Sequence, residues 1–305
     1  MASLRDIRDR INSVKNTQQV TSAMKMVAAA KLRRAQERIF KTRPYAFKLG
    51  EMISHLQRQA DPAEHDLFLP RDVRQGVLVI IVTADRGLAG AFNSNAIKLA
   101  ETTIREQYAD VSEDNLYLLC VGRKSHEHFA KRDYQLVGDF RGLFNDLSFS
   151  AAQDIVDAAV EGYLDKQWDE VTVVYNEFKN TISQNRIAEP LLPIPKERFL
   201  TPVMEAEVEG QEAAEAEGPV DYIFEPGAEE ILEALVPRYL NYQVWRLLLE
   251  SNAAEQGARM VAMDNATSNA DDLLRDLKLS YNRARQDAIT KELIEITSGA
   301  DALSG

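Results

Sequence analysis

Cysteine is almost absent from this chain: Cys120 stands alone in 305 residues. One thiol closes no internal disulfide, and within the apolar run 116–121 it reads as a small buried hydrophobe. Long apolar stretches are missing as well, and none approaches the roughly 18 residues of a membrane-crossing helix. Aromatics are few, at 8%, which suits long helices better than a thick sandwich core. The four histidines give no metal site. His55 and His65 lie in a helix end and a loop without cysteine partners. His126 and His128 are two apart, point to different faces of a predicted helix, and read as solvated surface residues. Neither the Walker spacing nor GxGxxG occurs, and no serine, cysteine or lysine nucleophile has a recognisable base in a local motif. The residues give no evident enzyme and imply no cofactor.

What is present is charge, unevenly placed. The formal net charge is −12, so nucleic acid is not the default partner. Residues 1–50 nevertheless carry 12 Lys or Arg against 3 Asp or Glu, a net +9, leaving 24 against 45, a net −21, for the remainder. A basic arm on an acidic protein should dock against something acidic. The arm lacks the apolar core of a secretory signal. It is amphipathic and basic like a mitochondrial presequence, but its pattern runs on too long and too regularly for one. The chain reads as a cytoplasmic-side protein without lipid insertion.

The other parts are organised around the stretch 259–299. Apolar or small residues recur there at three- and four-residue steps: Met263, Ala266, Ala270, Leu273, Leu277, Tyr281, Ala284, Ala288, then Ile289, Leu293 and Ile296. That is a narrow stripe, the width of a coiled-coil seam. A helix over these positions would be roughly 60 Å long at about 1.5 Å per residue. Residues 3–58 read as its partner, capped by Ser3 with Asp6 three positions on. Leu4, Ile7, Ile11 and Val14 keep the step, as do Leu32, Ala35 and Ile39. Between them Asn16, Thr17, Gln18 and Gln19 interrupt the stripe, and Val20, Met24 and Val27 resume it one residue out of phase. Pro44 should kink or break this helix, and Pro237 should kink the return helix. Pairing the two terminal helices antiparallel is the economical solution.

After Asp61, Pro62 and Pro70 the texture changes. VLVIIV (77–82) and LYLLCV (116–121) read as buried strands, 134–137 as a short third, VTVVYNEF (171–178) as a fourth, and 184–192 as an edge strand limited by Pro190. Helices are predicted over 93–108, 124–132 and 150–165, so strand and helix alternate in a mostly parallel sheet. From 193 to 226 order should fade, and the Glu/Ala-rich run 204–218 reads as a solvated insertion. The expected fold is therefore α/β: a long antiparallel coiled coil of N- and C-terminal helices with an inserted Rossmann-like α/β domain. Its divisions are 1–58, 70–200, 201–226 and 227–300.

The turn TADRGLAG after the first strand is the one local feature suggesting nucleotide binding, since Gly87 and Gly90 precede a helix whose free amides could hold an anion. The plainer reading is a tight turn or a contact loop using Asp85 and Arg86. The basic face of the first helix (Arg5, Arg8, Arg10, Lys15, Lys25, Lys31, Arg33, Arg34, Arg38) reads as a solvated face, or as a phosphate surface without interleaved aromatics.

Three stretches resemble one family, the gamma subunits of F-type ATP synthases: DIRDRINSVKNTQQVTSAMKMVAAAKLRRAQ, ARMVAMDNATSNA and ITKELIEITSGADA. TADRGLAGAFN resembles that family's conserved loop, with Ala89 where many relatives have cysteine. The paired regulatory cysteines of chloroplast relatives are absent, which excludes thiol control of that type and favours a bacterial source. The resemblance implies a non-catalytic central rotor shaft, turned by proton flow inside a ring of three alpha and three beta subunits. The globular end would sit with the epsilon subunit on the membrane rotor c-ring, at the inner membrane. It further implies contact with ring or stalk at Arg8, Met24, Lys25, Asp85, Arg86, Arg259, Met260, Gln286, Thr290 and Glu292. Small and flexible residues (Met24, 28–30, Met260, Met263) would allow sliding contact at the bearing. Two readings compete. A stand-alone α/β enzyme with a helical dimerisation arm would bind a ligand near 85–90. A coiled coil binding nucleic acid through its basic arm would show steeply salt-dependent binding to duplex DNA.

Overall fold

The computed structural model describes residues 4–59, 65–71, 73–196, 199–206, 225 and 227–304. Ser3, Asp61, Pro62 and the acidic run from 207 lie outside the described residues. The chain forms two compact units, Met1–Ala28 with Met260–Gly305, and Ala29–Arg259.

Helix α1 (Leu4–Gln59) and the final helix, α5 (Ala228–Ser304), are each continuous. Neither proline breaks its helix. Proline costs a helix one donor and some steric room, and packing on both sides outweighs that loss here. Arg43, Ala46 and Leu49 are buried around Pro44, and Val236 and Leu240 around Pro237.

In the Ala29–Arg259 unit the predicted strands form at β1 (Val77–Val82), β2 (Leu116–Val121), β3 (Gln135–Leu136), β4 (Glu170–Phe178) and β5 (Gln184–Leu192). The helices are α2 (Phe92–Gln107), α3 (Arg123–Phe129) and α4 (Phe149–Leu164). The sheet order is β3-β2-β1-β4-β5. β1 pairs parallel with both β2 and β4, and β5 closes the edge antiparallel to β4. Pro190 sits opposite Thr172, beside a register shift, as expected of a proline confined to an edge strand. β1 is buried at every position, because helices cover both faces of a parallel sheet. The core joins Val79, Ile81, Leu118, Phe129 and Val174 with Cys120. Burial pushes the Cys120 thiol up to about 12, so it packs as a hydrophobe.

Two sequence readings need correction. Order persists beyond 193: Ile194 and Met204 are buried, and 202–206 is helical. Met204 supplies an apolar anchor that composition averaged over the acidic run concealed. His128 is half-buried rather than solvated, with Nε2 2.9 Å from Glu101 Oε1 and its ring edge-on to Phe129. His126 is half-buried as well.

Candidate functional site

The terminal unit is a helix pair whose register can be followed contact by contact. The Arg8 guanidinium donates to Tyr281 Oη at 2.7 Å, and Gln18 Nε2 to Asp271 Oδ1 at 2.6 Å. The hydroxyls of Thr21 and Thr267 are 2.8 Å apart, and Lys25 Nζ donates to Asp264 Oδ1 at 2.5 Å. From Arg8 to Lys25 is 17 residues, and from Asp264 to Tyr281 is also 17. The pairing is therefore antiparallel and keeps step along its length.

This register corrects the seam. On α1 an unbroken three-four series of covered positions runs through Leu4, Ile7, Ile11, Val14, Gln18, Thr21, Lys25 and Ala28, with Ser22 and Met24 half-buried beside it. The stripe does not shift at Asn16; polar residues occupy the seam there, and Val20 is 58% exposed on the other side. Polar seam positions fix register at some expense of stability. On α5 the covered series is Met263, Thr267, Ala270, Leu274, Leu277, Tyr281, Ala284 and Ala288. Leu274 is 8% exposed, whereas Leu273 is 39% exposed. Two adjacent leucines fit the step equally well, and the Thr21–Thr267 contact selects the phase.

Past Tyr281 the described side chains of α5 are exposed through Ser298, save Ala284 and Ala288 on the seam. Gln286, Thr290 and Glu292 are exposed there, with Ile289, Leu293, Ile294 and Ile296. Thr290 Oγ1 donates to the Gln286 carbonyl at 2.9 Å. Arg8 and Lys25 are engaged across the helix pair, Met24 and Met260 are half-buried, and Met263 is buried. Met263 therefore packs within the protein and offers no bearing surface.

In the other unit the loop after β1 is tied down from several directions. Thr83 Oγ1 donates to Ser125 Oγ at 2.9 Å, and Asn93 Oδ1 accepts from the Ala84 amide at 2.8 Å. Asp85 is buried. Its carboxylate accepts the amides of Arg123 (3.0 Å), Gly142 (2.7 Å) and Phe144 (3.2 Å), gathering the loops after β1, β2 and β3. The Asp85 side chain thus serves the chain itself. Arg86 and Leu88 project into solvent, Leu88 at a positive φ of 63°, a left-handed conformation that normally favours glycine.

The strand order places a topological switch point at the carboxyl ends of β1 and β4, where open α/β sheets receive nucleotides. In this chain α5 fills that place. Arg259 donates to the Gly87 carbonyl at 2.6 Å and pairs with Glu255 at 2.5 Å. A Cβ on Gly257 would stand 3.3 Å from the Thr181 carbonyl oxygen. Glu250 accepts the Phe178 amide at 3.2 Å. A nucleotide would have to displace the helix.

Sequence reasoning missed two buried ionic clusters. Arg43 Nε and Nη2 grip Glu250 at 2.7 and 3.1 Å, and Arg43 Nη2 also donates to the Phe178 carbonyl at 3.3 Å. Burial raises the Glu250 pKa and the Arg43 charge opposes that rise. Arg246, 1% exposed, donates to both oxygens of Glu189 at 2.6 and 2.8 Å, and to Tyr175 Oη at 3.2 Å. Tyr175 in turn donates to Glu189 Oε2 at 2.7 Å. The available signal was a charge inside an apolar run, since Arg246 follows Val244 and Trp245 and precedes three leucines. Charges are seldom fully buried unless paired.

Paired terminal helices with an inserted α/β sheet, its nucleotide crevice occupied by the chain's own helix, define a helical stalk protein rather than an α/β enzyme. Comparison with known proteins agrees. The family model described as "ATP synthase" matches residues 3–303. The ATP synthase gamma chain of Salinibacter ruber is 64% identical over 304 residues, covering 99% of each chain. That of Chloroherpeton thalassium is 52% identical over 307 residues, again covering 99% of each. The chain belongs to the ATP synthase gamma chain family, whose members are central-stalk subunits and not themselves catalytic. Among solved structures, the central stalk and c-ring of Tetrahymena thermophila mitochondrial ATP synthase contains a similar chain: TM-score 0.54, 26% identity, covering 81% of this chain and 99% of that one. A chain of the Euglena gracilis mitochondrial ATP synthase rotor has the same fold, with TM-score 0.62, 20% identity and coverage of 94% and 98%.

Proposed function

We propose that this chain is the turning shaft of a proton-translocating, membrane-associated bacterial ATP synthase, on the cytoplasmic face of the inner membrane. Its helix pair rotates within a ring of three alpha and three beta subunits, and its α/β unit seats with the epsilon subunit on the c-ring. Catalysis belongs to the ring, and the shaft presents a different face to each catalytic site in turn.

The observation that carries this reading is the solvent-exposed apolar stretch of α5. Ile289, Leu293, Ile294 and Ile296 lie beyond the inter-helix contact at Tyr281, and Ile296 is 67% exposed. Exposed apolar surface of that extent on a long helix calls for a sleeve. Gln286, Thr290 and Glu292 share that stretch and supply polar contacts to the ring. Arg86, Arg259 and Met260 are proposed as further contacts, and Met24 as a sliding one. Arg8 and Lys25 reach the ring from positions already braced by Tyr281 and Asp264. The test is co-expression with alpha and beta subunits, followed by sizing and ATPase assay. One copy of this chain with three of each partner, and activity dependent on it, is the expected result. Failure to join the ring with any partner pair overturns the reading and returns attention to the α/β unit.

A further inference from the structure

We infer that the two buried arginine–carboxylate clusters of the Ala29–Arg259 unit key the long helices to the sheet, making Arg43, Glu250, Arg246 and Glu189 positioning residues for torque. The inference rests on the rotor reading and assigns these residues no contact with another subunit.

The argument begins with what apolar packing cannot do. A helix held only by buried leucine and valine side chains is held by a non-directional force. Under load it can rotate or ratchet by one turn into an equivalent packing, a known mode of helix movement. A bidentate guanidinium–carboxylate pair differs, because both hydrogen bonds need one orientation and slippage leaves two charges buried without partners.

The placement of the clusters fits that task. Arg246 and Glu250 are one helical turn apart on α5 and face the same way. Arg246 is fastened to the β4–β5 ribbon through Tyr175 on one strand and Glu189 on the other. Glu250 is fastened to the end of β4 and to α1 together. Phe178 gives its amide to Glu250 and its carbonyl to Arg43, while Arg43 and Glu250 hold each other. Three elements therefore meet at one joint, and its residues are buried. Surface pairs such as Arg33–Glu37 or Lys48–Glu51 are made within one helix and cannot resist its movement against the sheet.

The test separates keying from simple stability. The triple variant Arg246→Met, Glu189→Leu and Tyr175→Phe replaces the second cluster with apolar side chains, an exchange that is often neutral or stabilising for a fold. It is incorporated into the complete ATP synthase in membrane vesicles, and ATP hydrolysis, ATP-driven proton uptake and thermal stability are measured. The expected result is retained assembly, stability and hydrolysis, with loss of net proton uptake against an opposing pH gradient. Parental coupling between hydrolysis and uptake in the assembled variant overturns the inference. Should the triple variant fail to assemble, Arg246→Lys and Arg43→Lys keep each charge but lose the fork. Reduced coupling in assembled lysine variants supports keying, and unchanged coupling refutes it. A parental complex that neither assembles nor pumps would instead refute the rotor reading.

Discussion

Leu273 and Leu274 are chemically identical neighbours, and they give the sharpest test of the helix pairing. Leu274 is 8% exposed and Leu273 is 39% exposed. Trimming a buried leucine to alanine removes its transfer free energy and leaves a cavity, typically 2–5 kcal/mol together. A two-helix seam is open along both flanks, so water reaches much of the space left behind, and the lower end of that range applies. Leu274→Ala should therefore cost about 2 kcal/mol. Leu273→Ala removes a side chain from the flank, where substitutions usually change stability by about 0.5 kcal/mol.

A global melt would blur this contrast, because the leucines belong to only one of two compact units. Amide hydrogen exchange over 260–281 reports it directly, since opening of a local segment has its own free energy. A loss of about 2 kcal/mol speeds exchange through local opening roughly 30-fold, at tenfold per 1.4 kcal/mol. The expected outcome is such acceleration for Leu274→Ala and a change of about twofold for Leu273→Ala. Equal acceleration by the two variants, or a larger effect at Leu273, would show that the seam follows the other three-four series and that the Thr21–Thr267 register is wrong.

Two further predictions concern the α/β unit. Asp169 has a pKa below its ordinary 3.8: burial would raise it, but Arg71 and the amides of Gly76 and Gln75 outweigh burial. A depressed folded pKa stabilises above the unfolded value and ceases to do so as pH falls through the folded one. Asp169→Asn should thus cost roughly 2 kcal/mol at neutral pH, with the gap to the parent closing below 3.8 in denaturant titrations at stepped pH; a pH-independent gap refutes it. Gly162→Ala would place a Cβ 2.1 Å from the buried Trp168 ring. Overpacking of about 1–3 kcal/mol should exceed the helix-propensity gain of about 1 kcal/mol, and a raised denaturation midpoint would refute that ordering.

The parts of the fold that were legible in the sequence are those whose signal is local. β1 and β2 are buried on both faces, so their apolar runs coincide with the strand ends. The boundaries of α2, α3 and α4 fell within a few residues, because each packs its buried residues against the sheet. The seam was legible in width but not throughout in phase. Its centre uses Gln18, Thr21 and Lys25, and a search for apolar periodicity passes over positions filled by polar pairs. The ionic clusters were not legible at all. Arg43 and Glu250 are 207 residues apart in the chain, and Arg246 and Glu189 are 57 apart. No spacing rule joins partners at such separations. The partners that hold the loop after β1 were not legible for the same reason, since the amides that Asp85 accepts belong to Arg123, Gly142 and Phe144.

The end of α5 shows how one sequence signal can serve two kinds of burial. Apolar residues recur from Met263 to Ile296 and read throughout as seam, although the series steps by one residue from Ala288 to Ile289. The register shows which part of α5 lies opposite the described part of α1. With Arg8 opposite Tyr281, Leu4 comes opposite Arg285, and the described part of α1 begins there. From that point to Ser304 is 19 residues, roughly 28 Å of helix at about 1.5 Å per residue. Ile289, Leu293, Ile294 and Ile296 fall within it and are exposed, whereas Leu274 and Leu277, earlier on the same helix, are covered. Helical periodicity records that a face is to be buried without recording by what. The proposed function requires that change of partner, because a shaft must hold itself together over one length and be held by a sleeve over the next.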